Sequence, residues 1–264
     1  MANYEVVHIA IAPPAILDEN LVRSVAAIIN KHPYDTRLLL ASEIPRIIAH
    51  CDSMQIAESI IQKLKDLGLV AIACRDLELR QSPQSFKAQT LEFRENGVLF
   101  RDSGGREKIM GEDNVFLILE GRVKTSEEVE TTKSKTKFSL TTTLLTGGFP
   151  VWRKVNEKTT TRSIQTQYFV RLYDRKSSDP GIELLQNNMN YSFLGANIAI
   201  SSPTNFTAVV TKLRDAFPQA IFDSRLTKPF LVTTSSNRVW ENTEVNCKLI
   251  YLFHLVTSGL NSIT

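Results

Sequence analysis

Apolar positions along the chain change their period near residue 86: before it they recur mostly at helical spacing, after it they alternate. Val6, Val7, Ile9 and Ile11 form a short strand-like run, stopped by Pro13-Pro14 because neither proline can donate a ladder hydrogen bond. Asp18 offers an N-cap to a helix from about Glu19 to Asn30, with Leu21, Val22, Val25, Ile28 and Ile29 as its apolar stripe. Pro33 suits the first turn of a second helix that runs through Leu38, Leu39 and Leu40. Pro45 leads into a strand, Arg46 to His50. Asp52 or Ser53 then caps a third helix whose stripe is Ile56, Ile60, Leu64 and Leu67. Gly68 stands where a left-handed residue ends that helix, and Leu69 to Cys74 reads as the closing strand.

Beyond the polar, proline-containing stretch Gln81 to Ser85 the period becomes two. Thr90–Glu95 and Val98–Asp102 flank Asn96-Gly97, a strong hairpin signal. Ser103-Gly104-Gly105 turns the chain into Arg106–Met110, and Val115–Leu119 reads as a buried strand. Strands resume at Tyr168–Tyr173 and Ile182–Leu185. Ser201, Ser202 and Pro203 open a helix carrying Phe206, Val209, Val210, Leu213 and Phe217. A last helix runs from Val239 or Thr243 to Ser258, with Leu249, Leu252, Phe253 and Val256 on its apolar side. Six or seven short antiparallel strands with two helices predict a β-rich domain at 86–264. A pleckstrin-homology-like half-barrel is the first arrangement they suggest, and the whole chain is expected to be α+β.

The first 81 residues predict the order strand, helix, helix, strand, helix, strand. With the phrase AESIIQKLKDLGLVAIACRD, that order resembles the C-terminal domain of the bacterial ribosomal stalk protein and the ClpS adaptor family. The resemblance implies a βααβαβ domain over 1–81, with 82–85 as linker, and a role in binding other proteins. In the ClpS family an Asn-Asp-Asp-type run after the first strand holds a substrate's α-amino group. The corresponding residues here, Ala12-Pro13-Pro14-Ala15, offer no acceptor side chain, so recognition of N-degrons is not expected. The stalk domain recruits GTPases through a Gly/Lys-rich helix start, where this chain has Lys31-His32-Pro33-Tyr34-Asp35-Thr36-Arg37.

Composition narrows the class. The 264 residues are 42% hydrophobic and 22% charged, values of a globular chain. No apolar run approaches membrane-spanning length, and MANYEVVHIAIAPP lacks the basic flank and apolar core of a signal peptide. Cys51, Cys74 and Cys247 cannot all pair and match no zinc or redox spacing, which leads us to expect buried thiols in a cytoplasmic protein. His8, His32, His50 and His254 show no i, i+4 ligand pair. His50, Cys51 and Cys74 are the nearest approach to a metal set, but adjacent strand residues point to opposite faces. No nucleophile elbow, phosphate-binding glycine loop or acid/base carboxylate pair is present, so neither catalytic residues nor a cofactor are expected.

One segment departs from the rest. Residues 131–162 hold Lys133, Lys135, Lys137, Arg153, Lys154, Lys158 and Arg162 against Glu157 alone, a local charge of +6 in a chain of net +3. Its centre is apolar, with Phe138, Leu140, Leu144, Leu145, Phe149, Val151 and Trp152, and Gly147-Gly148 divides it. An insert this long is either functional or a structured excursion. Three readings follow: a β-ribbon that extends two strands, a protein-docking arm, or a contact for nucleic acid or lipid headgroups. For the docking arm, Phe149, Trp152, Arg153 and Lys154 are the expected contacts. The sequence therefore points to a non-enzymatic interaction module, an adaptor or an assembly subunit that can also self-associate. A binder of anionic surfaces is the second reading, and an enzyme of unassigned chemistry the third.

Overall fold

The computed structural model describes residues 6–81, 84–138, 152–228 and 243–259. Eleven strands and six α-helices occur there: β1 (Val7–Ile11), α1 (Glu19–Ile29), α2 (Pro33–Leu40), β2 (Arg46–Cys51), α3 (Met54–Asp66), β3 (Ala71–Arg75) and α4 (Asp76–Arg80) come first. They are followed by β4 (Phe86–Ala88), β5 (Thr90–Arg94), β6 (Gly97–Arg101), β7 (Glu107–Gly111), β8 (Leu117–Phe138), β9 (Trp152–Tyr173), β10 (Ile182–Leu185), α5 (Ser202–Ala216), β11 (Ile221–Leu226) and α6 (Thr243–Thr257). Helices and sheets coexist without regular βαβ alternation, which makes the chain α+β. No helix among the described residues is long and apolar enough to cross a membrane.

The first sheet has the order β2-β1-β3 and is antiparallel throughout. Its elements start and stop where local chemistry directs. Asp18 accepts from the Leu21 N–H at 2.7 Å to begin α1, Asn30 ends α1 with a left-handed φ of 51°, and Ser53 caps α3. Val7, Ile9 and Ile11 face α1 and α3, where Val22, Val25, Ala57, Ile61 and Leu64 complete one core. The α3 stripe is rotated from the expected one: Ala57, Ile61 and Leu64 are buried while Ile56 and Leu67 are exposed. Ile60 and Ile61 are consecutive, so two stripes of helical period exist, and packing on the sheet selects the one that starts at the small Ala57.

The opposite face of this sheet, with Ala10, Ile47 and Cys74, is covered by Val245, Leu249 and Phe253 of α6 together with Leu79 of α4. The C-terminal helix thereby closes the N-terminal sheet. Residues 1–122 and 168–264 form one compact unit, and the boundary expected at 82–85 falls inside it. Residues 123–167 form the second unit.

The remaining strands divide in two rather than making the expected antiparallel half-barrel. A five-stranded sheet has the order β11-β8-β9-β10-β4, and β5-β6-β7 form a separate antiparallel meander. The five-stranded sheet is mixed: β10 pairs with β4 and β11 with β8 in parallel. Strands β8 and β9 are 22 residues each, where short strands were expected. The hairpin turn also differs by one residue, since Gly97 already pairs with Arg94 and Gly111. Gly97 takes φ 144°, and a Cβ there would run into the Met110 carbonyl of β7. Glycine is thus required by the third strand of the meander. Phe206, Val209, Val210 and Leu213 of α5, with Phe217 at its C-cap, are buried against Ile118, Val170, Leu172 and Ile182 of the five-stranded sheet.

Candidate functional site

The predicted contact residues lie at or beside the start of β9. Trp152, Arg153 and Lys154 are its first three residues, and Phe149 lies outside the described residues. Of the three readings of the insert, the ribbon is the one with observed elements. The segment that joins Leu117 to Tyr173 is occupied on both sides by strand, β8 to Phe138 and β9 from Trp152, and the two are neighbours in the sheet. Strands in globular proteins usually have about 5–6 residues. These exceed that severalfold, and the parts of them within 123–167 belong to the second unit.

Three clusters of polar groups inside the first unit touch α6 or the sheet face it covers. Arg171 on β9 is 5% exposed. Its Nε donates to Glu183 Oε1 on β10 at 2.8 Å, and its two Nη groups donate to the Glu244 carboxylate in the first turn of α6, both at 2.6 Å. Burial opposes the guanidinium charge, yet the Glu244 bond leads the interactions that raise its pKa. Beside it Tyr251 of α6 stacks on Tyr173, with ring centroids 5.1 Å apart. Lys248, also 5% exposed, donates from Nζ to the carbonyls of Glu78 at 2.8 Å and Gln81 at 2.7 Å, and so completes the C-terminal end of α4.

The second place is Asp223 on β11, which accepts from His254 Nε2 of α6 at 2.8 Å and from Arg225. Burial pushes this carboxyl up, but the His254 and Arg225 hydrogen bonds outweigh it and hold the carboxyl well below the usual range. These two clusters neutralise buried charge and fasten α6 to the five-stranded sheet.

The third cluster involves residues that sequence reading treats as isolated. His8 and His50 are directly opposite on β1 and β2, and Cys74 on β3 is opposite His8 from the other side. His8 contacts Asp76 Oδ1 through Nε2 at 2.6 Å and His50 Nδ1 through its own Nδ1 at 2.7 Å. Arg80 pairs with the other oxygen of Asp76 at 2.6 Å. Cys51 packs in the core on the α1 and α3 side, whereas Cys74 packs on the α6 side, so the strand alternation keeps the two thiols apart. Burial pushes the Cys74 and Cys247 thiols up to about 12, which keeps them protonated and inert. The alternation within each strand was visible in the sequence. The register that sets His8 against His50 was not, because it depends on pairing across 42 residues.

Two shallow clefts lie on the described surface. One, of about 340 Å3, lies between α5 and the β8–β11 edge, where the Arg214 guanidinium sits 4.3 Å from the Phe222 ring centroid. The other is at the β5–β6 turn beside Phe93 and Ile109. No group of three or more His, Cys, Asp or Glu among the described residues is placed to hold a metal ion. Comparison of the chain with family models, curated proteins and solved structures finds no match.

Proposed function

We propose that this chain is a non-enzymatic interaction protein, an adaptor or a subunit of a larger assembly, that docks through the ribbon of β8 and β9. The observation that carries the reading is the pair of 22-residue strands and the separate unit at 123–167 that contains most of them. A two-stranded ribbon is marginal in water, and strand edges are templates for further pairing. Residues given to such a ribbon gain most when another chain covers them. Phe149 and Trp152 would supply the buried aromatic area that dominates interface energy, with Arg153 and Lys154 at the rim. The β-α-α-β-α-β order of the first sheet and its helices supports the resemblance to ClpS and stalk domains, small folds that recruit other proteins. Three free, buried cysteines suit a reducing compartment such as the cytoplasm.

The +6 charge of residues 131–162 favours a second reading, a ribbon that grips an anionic surface such as nucleic acid or lipid headgroups. Two variants of the full chain separate the readings. For a docking arm, Trp152→Ala is expected to cost about 2 kcal/mol or more of partner binding. Replacing Arg153 and Lys154 by Gln then mainly slows association. For a phosphate contact, affinity falls steeply between about 50 and 200 mM salt, and each lost cation lowers the log–log slope by about 0.9 on duplex DNA. Partner co-purification, with a second copy of the chain among the partners scored, and salt titration on both variants read these outcomes. Retention of every partner by Trp152→Ala removes the docking proposal.

A further inference from the structure

His8 occupies the middle strand of the first sheet and is 3% exposed, with both ring nitrogens engaged. An ionised carboxylate only accepts, so the Nε2 that meets Asp76 Oδ1 carries a proton. The facing contact from His8 Nδ1 to His50 Nδ1, at 2.7 Å, has room for one proton only: one ring donates it and the other accepts. While that contact lasts, the two imidazoles carry at most one positive charge between them. A second charge puts a proton on both Nδ1 atoms, and two N–H groups then face each other.

The surroundings act on the same balance. Lys31 follows α1, Asp76 and Arg80 lie on α4, Arg75 ends β3, and Cys51 and Asp52 follow His50 along the chain. Cys74, across β3 from His8, stays a thiol through this range because burial lifts it to about 12. The His50 pKa is lowered, first by burial, then by His8 and Lys31, with Asp76 opposing.

The cluster also stands where three elements meet. His8–His50 joins β1 to β2, His8–Asp76 joins β1 to α4, and the Asp76 N–H donates to the Val6 carbonyl at 2.9 Å. α4 in turn places Leu79 under α6 and receives Lys248 on its last carbonyls. We propose that the His8–His50 pair, backed by Asp76, is a pH-sensitive clasp that closes this end of the first sheet, and that a second proton on the pair opens it. Opening frees the start of β1 and the seat of α4, and α4 carries Leu79 against the C-terminal helix. This gives the protein a response to mild acid that is separate from docking through the ribbon.

The direction follows from linkage. His50 in the unfolded chain titrates near its ordinary value of 6.5, and its folded value is lower. As pH falls below 6.5 the unfolded or opened form takes up the proton first. The contribution is therefore complete above that value and is lost as pH falls through the folded one.

The test uses the full chain between pH 8 and 5. Imidazole NMR should show the His50 ring titrating below 6.5. Hydrogen exchange, corrected for its intrinsic pH dependence, should show residues 6–11 and 46–51 losing protection as pH falls below 6.5. In His50→Asn the side-chain amide can donate or accept at the same place but takes no proton, so the acid-dependent loss should vanish. The same loss in His50→Asn as in the unaltered chain overturns the clasp. So does a His50 ring that titrates at or above 6.5, a measurement that needs no variant and stands even if His50→Asn fails to fold.

Discussion

α6 is held on two sides by different physics. Toward the β2-β1-β3 sheet it presents Val245, Leu249 and Phe253 to Ala10, Ile47, Cys74 and Leu79, an apolar contact without direction. Toward the five-stranded sheet it presents Glu244 to Arg171 and Tyr251 to Tyr173, contacts that hold in one geometry only. The first side tolerates small shifts of the helix, whereas the second fixes its rotation and height. A helix buried over nearly all of Val245 to Tyr251 needs both, since an apolar surround alone would leave Glu244 and Lys248 without partners. The expected single apolar side at Leu249, Leu252, Phe253 and Val256 was accordingly too narrow.

Three substitutions sharpen that contrast. The largest effect is expected at Arg171→Leu, which strands the buried Glu183 carboxylate and removes both bonds to Glu244. Breaking a buried pair from one side costs about 3–5 kcal/mol, and urea unfolding of the full chain reads it. A loss under about 1 kcal/mol would mean that the apolar side alone places α6. Leu249→Ala removes a wholly buried side chain from the other side and is expected to cost about 2–5 kcal/mol. Double-mutant analysis with Arg171→Leu then tests whether the two sides act independently, in which case the losses add within about 0.5 kcal/mol. The smallest effect belongs to a purely local device: Asp18→Ala leaves the Leu21 N–H without its cap and should lower stability by about 1 kcal/mol, seen as a shift in the urea midpoint.

These magnitudes also mark what could be read along the chain. The cap at Asp18, the left-handed Gly68 with φ 76°, the proline starts of α2 and α5 and the burial of Phe206 to Phe217 are local or periodic properties. They were legible because the residues that decide them lie within a turn or two of one another. The α3 stripe was only half legible, since Ile60 and Ile61 serve two faces equally and the sheet breaks the tie. β4 and β11 went unread. Their neighbours are β10 at 182–185 and β8 from Leu117, far along the chain and parallel to them. A parallel pairing leaves no turn signal between its strands.

The same division applies to the candidate sites. Charge and aromatic content singled out residues 131–162 from composition alone, and the strands β8 and β9 reach into that segment from both ends. The clasp of His8, His50 and Asp76 had no such signature, because each member is ordinary in its own strand or helix.

By itself the sequence determined the α+β class, the order of the first six elements and the cap of α1 at Asp18. Hydrophobic period, proline and glycine act over a few residues, and a single chain displays them fully. Tertiary structure alone decided that the last helix roofs the first sheet, that the second sheet mixes parallel with antiparallel pairs, and that two histidines meet Nδ1 to Nδ1. Each of those depends on register between segments tens to hundreds of residues apart. There the deciding quantity is the fit of surfaces brought together by folding, which no local pattern contains.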